Sequence, residues 1–248
     1  METDSLCSDF FLSILIMVDI LSSTTKEPTT YPALALQYLQ LLPFTPTNPS
    51  LLAILEQTLG IAAWVLESLL HTILLSNWKC ARLHTGNLSF TMLVTRAQAI
   101  ESHIIQNRAS LLRQMSSSTL SSTNRNCWIL TNIFASATMV YLHTIVSDPR
   151  PDVPDILEAV NMTKDAIKLV TDSSLLGLLS WLICVAGSMA GSGDQRRDFW
   201  RQLGHGCGER GLRERNLLRA IKVVKEVWRL RDQSESQAKS VKGMATFD

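Results

Sequence analysis

Two proline clusters limit how this chain can be organised. PFTPTNPS at 43–50 and DPRPDVPD at 148–155 each carry three prolines in eight residues. A proline ring removes a backbone donor and clashes with the preceding turn, so no helix interior runs through either cluster. Away from them, apolar residues recur every three to four positions, and the strict apolar–polar alternation of a half-buried strand is absent. The pattern predicts an all-α fold of packed antiparallel helices. Helices are expected near 6–22, 49–76, 87–115, 125–147, 153–170, 174–190, 195–205 and 212–231. SSSTLSSTNRN at 116–126 reads as a polar loop, and Asp152 or Asp155 as a cap for the helix starting at 153. From Gln233 the apolar content is too low for packing, so residues 1–232 are expected to form one domain and 233–248 a disordered tail.

Three apolar runs, at 10–21, 51–75 and 175–190, raise the alternative of a small helical membrane-associated protein. A bilayer crossing takes roughly 20 consecutive apolar residues. The third run is shorter and is broken by Gly177, Ser180, Gly187 and Ser188, and the second contains Glu56 and Glu67. The first, FFLSILIMV at 10–18, follows the acidic METDSLCSD and precedes no small-residue cleavage site, unlike a secretory leader. All three read as core helices, and no membrane partner is expected. WLICVAGSMAGSGDQRRDFW at 181–200 is then a helix leaving the core where it turns to glycine and arginine.

No catalytic constellation is found. The cysteines Cys7, Cys80, Cys127, Cys184 and Cys207 are scattered, without the close spacing of a zinc module. The histidines 71, 84, 103, 143 and 205 lie far apart, and His143, within VYLHTIV, reads as a core or helix-edge residue. GHGCGERG at 204–211 lacks the preceding strand of a phosphate-binding loop, and Cys207 beside His205 is not a nucleophile by adjacency alone. An all-α enzyme holding magnesium would need carboxylates on facing helices, and the acid-rich DPRPDVPD is broken by proline. Neither a cofactor nor a metal is expected. The net charge of +1 argues against a dedicated nucleic-acid module. Between Arg196 and Arg231, however, 11 Lys and Arg face 4 Asp and Glu, a local excess of seven. The last helix there is amphipathic: Leu217, Ile221, Val224 and Trp228 share one face, with Arg215, Arg219, Lys222, Glu226 and Arg229 around the rest. Such a helix can suit a membrane surface, a calmodulin-type partner or nucleic acid, but the expectation is a docked inner side with a solvated basic face, which leaves open an acidic partner on that face.

ASATMVYLHTIVSDPRPDVPDI (135–156), LLSWLICVAGSMAGSGDQRRDFWRQL (178–203) and LLRAIKVVKEVWRLRD (217–232) resemble the C-terminal regulatory domain of fungal binuclear zinc-cluster transcription factors. VDILSSTT at 18–25 extends the likeness, which spans about 10–232. Trp181, Gly187, Arg197 and Trp228 carry its structural signature, with Arg196 as the alternative to Arg197. Leu182 and Met189 depart from the pattern, standing where the family often has proline and a polar residue. The resemblance implies a transcription regulator in the nucleus, with a common setting in specialised-metabolite gene clusters. It implies action through protein or effector contacts, with transcription machinery or a DNA-binding regulator as partner and a homodimer open to it. The family's six-cysteine zinc module is not present in this sequence, so this chain alone is expected to bind no DNA specifically.

Overall fold

The computed structural model describes residues 2–25, 51–117, 122–170, 175, 178–191, 193–211 and 215–244. Its described elements are α1 (Glu2–Ser23), α2 (Leu51–Leu59), α3 (Ala63–His84), α4 (Phe90–Ser117), α5 (Ser122–Ser147), α6 (Pro154–Ile167), α7 (Ser180–Ser188), α8 (Gly193–Gly211) and α9 (Arg215–Met244). The all-α expectation holds. The organising element is α5, which packs against α3, α4, α6 and α7, while α9 closes onto α7 and α8 onto α6. Every residue from 129 to 140 is buried, so α5 has no solvent face along three turns. Its polar side chains there find local partners. Ser136 Oγ donates to the Asn132 carbonyl and Thr138 Oγ1 to the Phe134 carbonyl, both at 2.8 Å.

α5 is also the one described helix long and apolar enough to cross a membrane, counted over Asn124–Ser147, and 83% of its apolar window is buried inside the chain. The sequence reading had weighed other runs. The buried share of α5 is what a core helix requires, since a bilayer crossing would leave apolar side chains outward.

Several boundaries differ from expectation for identifiable reasons. The single helix expected over 49–76 is two, bent by 110° at a break around Gly60. Among the described residues of 174–190, the α-helix is Ser180–Ser188, ended by tightened bonds from Met189 N to Ala186 O and Ala190 N to Gly187 O. Neither Asp152 nor Asp155 caps α6. Val153 holds the cap position without a side-chain bond, Pro154 supplies a preset φ, and Asp155 lies in the first turn, where the helix dipole favours negative charge. The polar loop expected at 116–126 narrows, because α4 reaches Ser117 and α5 begins at Ser122. The stretch from Gln233, expected as a frayed tail, continues α9 to Met244. Its Gln, Glu, Ala and Lys are good helix formers, and side chains 233–237 stay in solvent. α1 is only half a core helix. Ile16, Met17 and Ile20 are buried, while Phe10, Phe11, Leu15 and Val18 are exposed on the other side.

The elbow at Gly60 depends on that residue in two ways. Its φ of +66° lies in the left-handed region, and a β-carbon there would sit 3.0 Å from Cys127 Sγ. Around it, Glu56 Oε2 accepts from Ala63 N at 2.9 Å and Thr131 Oγ1 accepts from Ala62 N at 3.0 Å, satisfying donors at the start of α3. Gly60→Ala is expected to lower unfolding free energy by about 1–3 kcal/mol, from left-handed strain plus the close contact. Gly193→Ala, where nothing lies within 4 Å, is expected to stay within about 0.5 kcal/mol. Equilibrium denaturation of both variants checks this; equal losses would mean that the elbow is not strained by a side chain.

Candidate functional site

Three of the four signature residues meet the core as anchors. In α9, Trp228 buries its ring against α7, and its indole Nε1 donates to the Gly187 carbonyl at 2.9 Å. Gly187 permits that approach: a β-carbon there would lie 3.1 Å from Phe199 and 3.2 Å from Val224, so α7, α8 and α9 converge on a position with no room for a side chain. Trp200 sets its ring edge against Trp228 at 5.5 Å. On α7, Trp181 stacks on Phe134 of α5 with centroids 6.0 Å apart, and its Nε1 donates to Thr24 Oγ1 at 2.7 Å. Trp181 therefore ties the end of α1 to the central helix, and Trp228 ties α9 to the end of α7.

Of the two arginines that the resemblance offered, one is packed and the other faces solvent. Arg197 is exposed and, among the described residues, pairs with Asp194 one turn away on its own helix. Arg196 is the packed residue. Its guanidinium lies 5.1 Å from the Trp228 ring centre and forms a two-pronged pair with Asp232, at 2.8 and 2.9 Å. That hydrogen-bonded pairing holds the Asp232 carboxyl below the usual carboxylate range. Arg231 donates from Nη2 to the Ser188 carbonyl at 2.8 Å, one more link between α9 and the C-terminal end of α7. Burial, then the neighbouring Arg196, pulls Arg231 below the ordinary arginine value. Arg196 Nε and Arg231 Nη1 are buried without a hydrogen-bond partner among the described residues.

The excess of basic residues in this segment is smaller in space than in sequence. Arg196, Arg197, Arg201 and Arg229 each have a carboxylate partner in Asp232, Asp194, Asp198 and Glu226. Arg215, Arg219, Lys222 and Lys225 remain exposed along α9 without a carboxylate partner among the described residues, interleaved with exposed Leu218 and Val223. The docked side is as expected: Leu217, Val224 and Trp228 are buried and Ile221 half-buried.

Of the cavities among the described residues, two are bounded by both α4 and α5. A cleft of about 760 Å³ opens beside the α2–α3 elbow, walled by α4 and α5, with Glu56, Trp64, Glu67 and Trp128 among its lining. A smaller one of about 380 Å³ lies between α4, α5 and α6, floored by Met139 and Met162. There Arg108 Nε donates to Asn132 Oδ1 at 2.8 Å, and burial lowers its pKa from the ordinary arginine value. His143 is buried at the edge of α5, with Nε2 3.6 Å from Glu101 Oε1, in keeping with the helix-edge reading. Neither cavity was foreseen, because each is assembled from residues far apart in sequence. Among the described residues no three His, Cys, Asp or Glu side chains come together as a metal site. Cys80, Cys127 and Cys184 are half-buried free thiols, and burial pushes the Cys184 thiol up. The side chains of Cys207 and His205 lie outside the described residues.

Residues 2–242 match the family model described as fungal specific transcription factor domain. The chain is 32% identical over 226 residues to the ustiloxin B cluster transcription factor of Aspergillus flavus, covering 88% of this chain and 37% of that protein. It is 28% identical over 228 residues to a trichothecene biosynthesis transcription regulator of Trichoderma arundinaceum, covering 92% and 49%. A transcription factor of a Nectria species is 28% identical over 250 residues, covering 94% and 38%. The chain thus spans less than half the length of each of these relatives. No solved structure matches.

Trp228→Ala and Trp181→Ala are each expected to cost about 3–5 kcal/mol, as truncations of large core aromatics do. Trp228→Phe keeps most of the packing and gives up the bond to the Gly187 carbonyl, so about 1–2 kcal/mol is expected. Arg196→Ala should cost about 1–2 kcal/mol through the lost pairing and ring contact, whereas Arg197→Ala should stay within about 0.5 kcal/mol. Urea unfolding followed by circular dichroism reads all five; equal effects at the two arginines would refute the assignment of the packed role to Arg196.

Proposed function

The chain belongs to the fungal-specific transcription factor domain family, and from that premise we propose that it regulates transcription of a specialised-metabolite gene cluster from within the nucleus. The observation that carries this reading is the family match along nearly the whole chain, joined to relatives whose names place them in ustiloxin B and trichothecene biosynthesis. In this reading the chain is not an enzyme. It works by contact with the transcription machinery or with a DNA-binding regulator, and α9 supports a specific mode. Its inner side is fixed by Leu217, Val224 and Trp228, so the outward Arg215, Arg219, Lys222 and Lys225 form a rigid cationic face rather than a collapsing tail. Exposed Leu218 and Val223 between those charges suit an acidic partner segment that also carries apolar side chains.

A cationic helix also attracts any duplex through counterion release, without reading its sequence. Two measurements separate these modes. Tethered to a heterologous DNA-binding module in a fungal reporter strain, the chain is expected to change expression from the target promoter, and Arg219→Glu with Lys222→Glu to abolish the change while the fusion stays folded and nuclear. An inert wild-type fusion in the nucleus would overturn the reading. In a salt-titrated shift assay the isolated chain should release specific and scrambled duplexes alike near physiological salt, and metal analysis should find no stoichiometric zinc. Selective binding that survives that salt would instead make the chain a DNA reader.

A further inference from the structure

The cleft beside the α2–α3 elbow is left unexplained by a regulator that works only through α9, and its lining is one-sided in charge. It holds the carboxylates of Glu56 and Glu67, and no Lys, Arg or His is among the described residues that line it. The two carboxylates are not equivalent. Glu56 is exposed and already accepts from the start of α3 through Ala63 N. Glu67 is half-buried one turn further along α3, and among the described residues it has neither a hydrogen-bond donor nor a cationic partner. A half-buried carboxylate with no protein counter-charge is stabilised by any cation that reaches it.

The rest of the lining selects the kind of cation. Trp64 and Trp128 are both half-buried in the wall, and indole faces attract cations, most strongly those that shed water easily. Trp64 is held in place: it lies edge-on to His103 at 6.5 Å, and His103 Nδ1 is 3.2 Å from Ser68 Oγ, which in turn donates to the Trp64 carbonyl. A hard metal ion is a poor fit, because calcium or magnesium asks for six or more oxygens and no three acidic or metal-ligating side chains converge among the described residues. An anion would face two carboxylates with no cationic side chain among the described lining residues to meet it. The volume of about 760 Å³ lies within the range of small-molecule sites.

We propose that this cleft is a binding site for a small organic cation, an alkylammonium whose charge is met by Glu67 and whose methyl or methylene groups lie against Trp64 and Trp128. The site deepens the regulatory reading by giving the chemistry of an effector, and rests on that reading only for its biological meaning. Occupancy would join α3, α4 and α5, three helices that now meet across an open cleft, and so would stiffen the body that carries α9.

The test is isothermal titration of the full chain with choline and with its neutral isostere 3,3-dimethylbutan-1-ol, alongside the thermal midpoint. Choline is expected to bind saturably at one site and at least about tenfold more tightly than the isostere. Glu67→Gln is expected to erase that preference, whereas Glu226→Gln, a carboxylate on α9 outside the cleft, should leave it unchanged. Equal binding of choline and isostere by the unaltered chain overturns the proposal, and this comparison needs no variant to fold. So does an absence of saturable choline binding, or a Glu67→Gln affinity within about twofold of the original. The tethered reporter is read separately: failure of choline binding with an active reporter removes this site alone, and an inert reporter with intact choline binding removes the regulatory reading alone.

Discussion

The structure depends on one helix having no outside. Residues 129–140 of α5 are buried on every face, so four other helices must surround it, and each must come close. Close approach requires small side chains, which Ala135, Ser136 and Ala137 supply in succession. Total burial also forbids unsatisfied polar groups, since each orphaned hydroxyl would cost about 1–3 kcal/mol. Ser136 and Thr138 solve this by bonding back to carbonyls one turn earlier, and Thr131 and Asn132 by receiving donors from neighbours, Ala62 N and Arg108 Nε. The polar residues of α5 therefore act as fasteners. Thr131 fixes the start of α3, and Asn132 fixes an arginine of α4.

From that centre the fold extends outward through two tryptophans. Trp181 stacks flat on Phe134, so α7 is bound to α5 by an aromatic contact, and Trp228 then binds α9 to the far end of α7. The sequence is a relay: α5 positions α7, and α7 positions α9. Gly187 is its narrow point, because Phe199 and Val224 occupy the space a side chain would need. A helix as polar on its outside as α9 has little reason to form on its own, and its burial along one side is what makes a fixed charged surface of it.

Much of this was legible in the residues, and the parts that were not share a cause. Helical class and the docked side of α9, Trp228 included, follow from spacing, which is a local property, whereas Trp181 stood out through the family resemblance. The break at Gly60 does not. Leu59 and Ile61 flank it within an unbroken apolar pattern, and only the path of the chain around Cys127 shows that glycine is needed there. The choice between Arg196 and Arg197 turned on which one faces α9. Asp232, four residues beyond Trp228 and so on the same side of the helix, was the available clue. Nothing local announces the cleft at Trp64 and Glu67, since its walls come from segments about sixty residues apart. α9 outran its expected end because low apolar content was read as loss of structure, although Gln, Glu, Ala and Lys prolong a helix already nucleated by packing.

The cleft and the cationic helix stand at opposite ends of the same mechanical path. Gly60 bends the chain by 110° and opens the cleft, while Thr131, bonded to Ala62 beside that bend, belongs to the buried stretch of α5. Phe134, one turn on from Thr131, carries Trp181. From there the contact runs through Gly187 to Trp228 and the anchored side of α9. Continuity of packing does not by itself make a signal; a signal needs two arrangements whose balance a ligand shifts. At the elbow α2 and α3 are joined by Gly60 and by one side-chain hydrogen bond, from Ala63 N to exposed Glu56 Oε2, while Ala62 N beside the bend donates to Thr131 of α5. α5 itself is too enclosed to move alone.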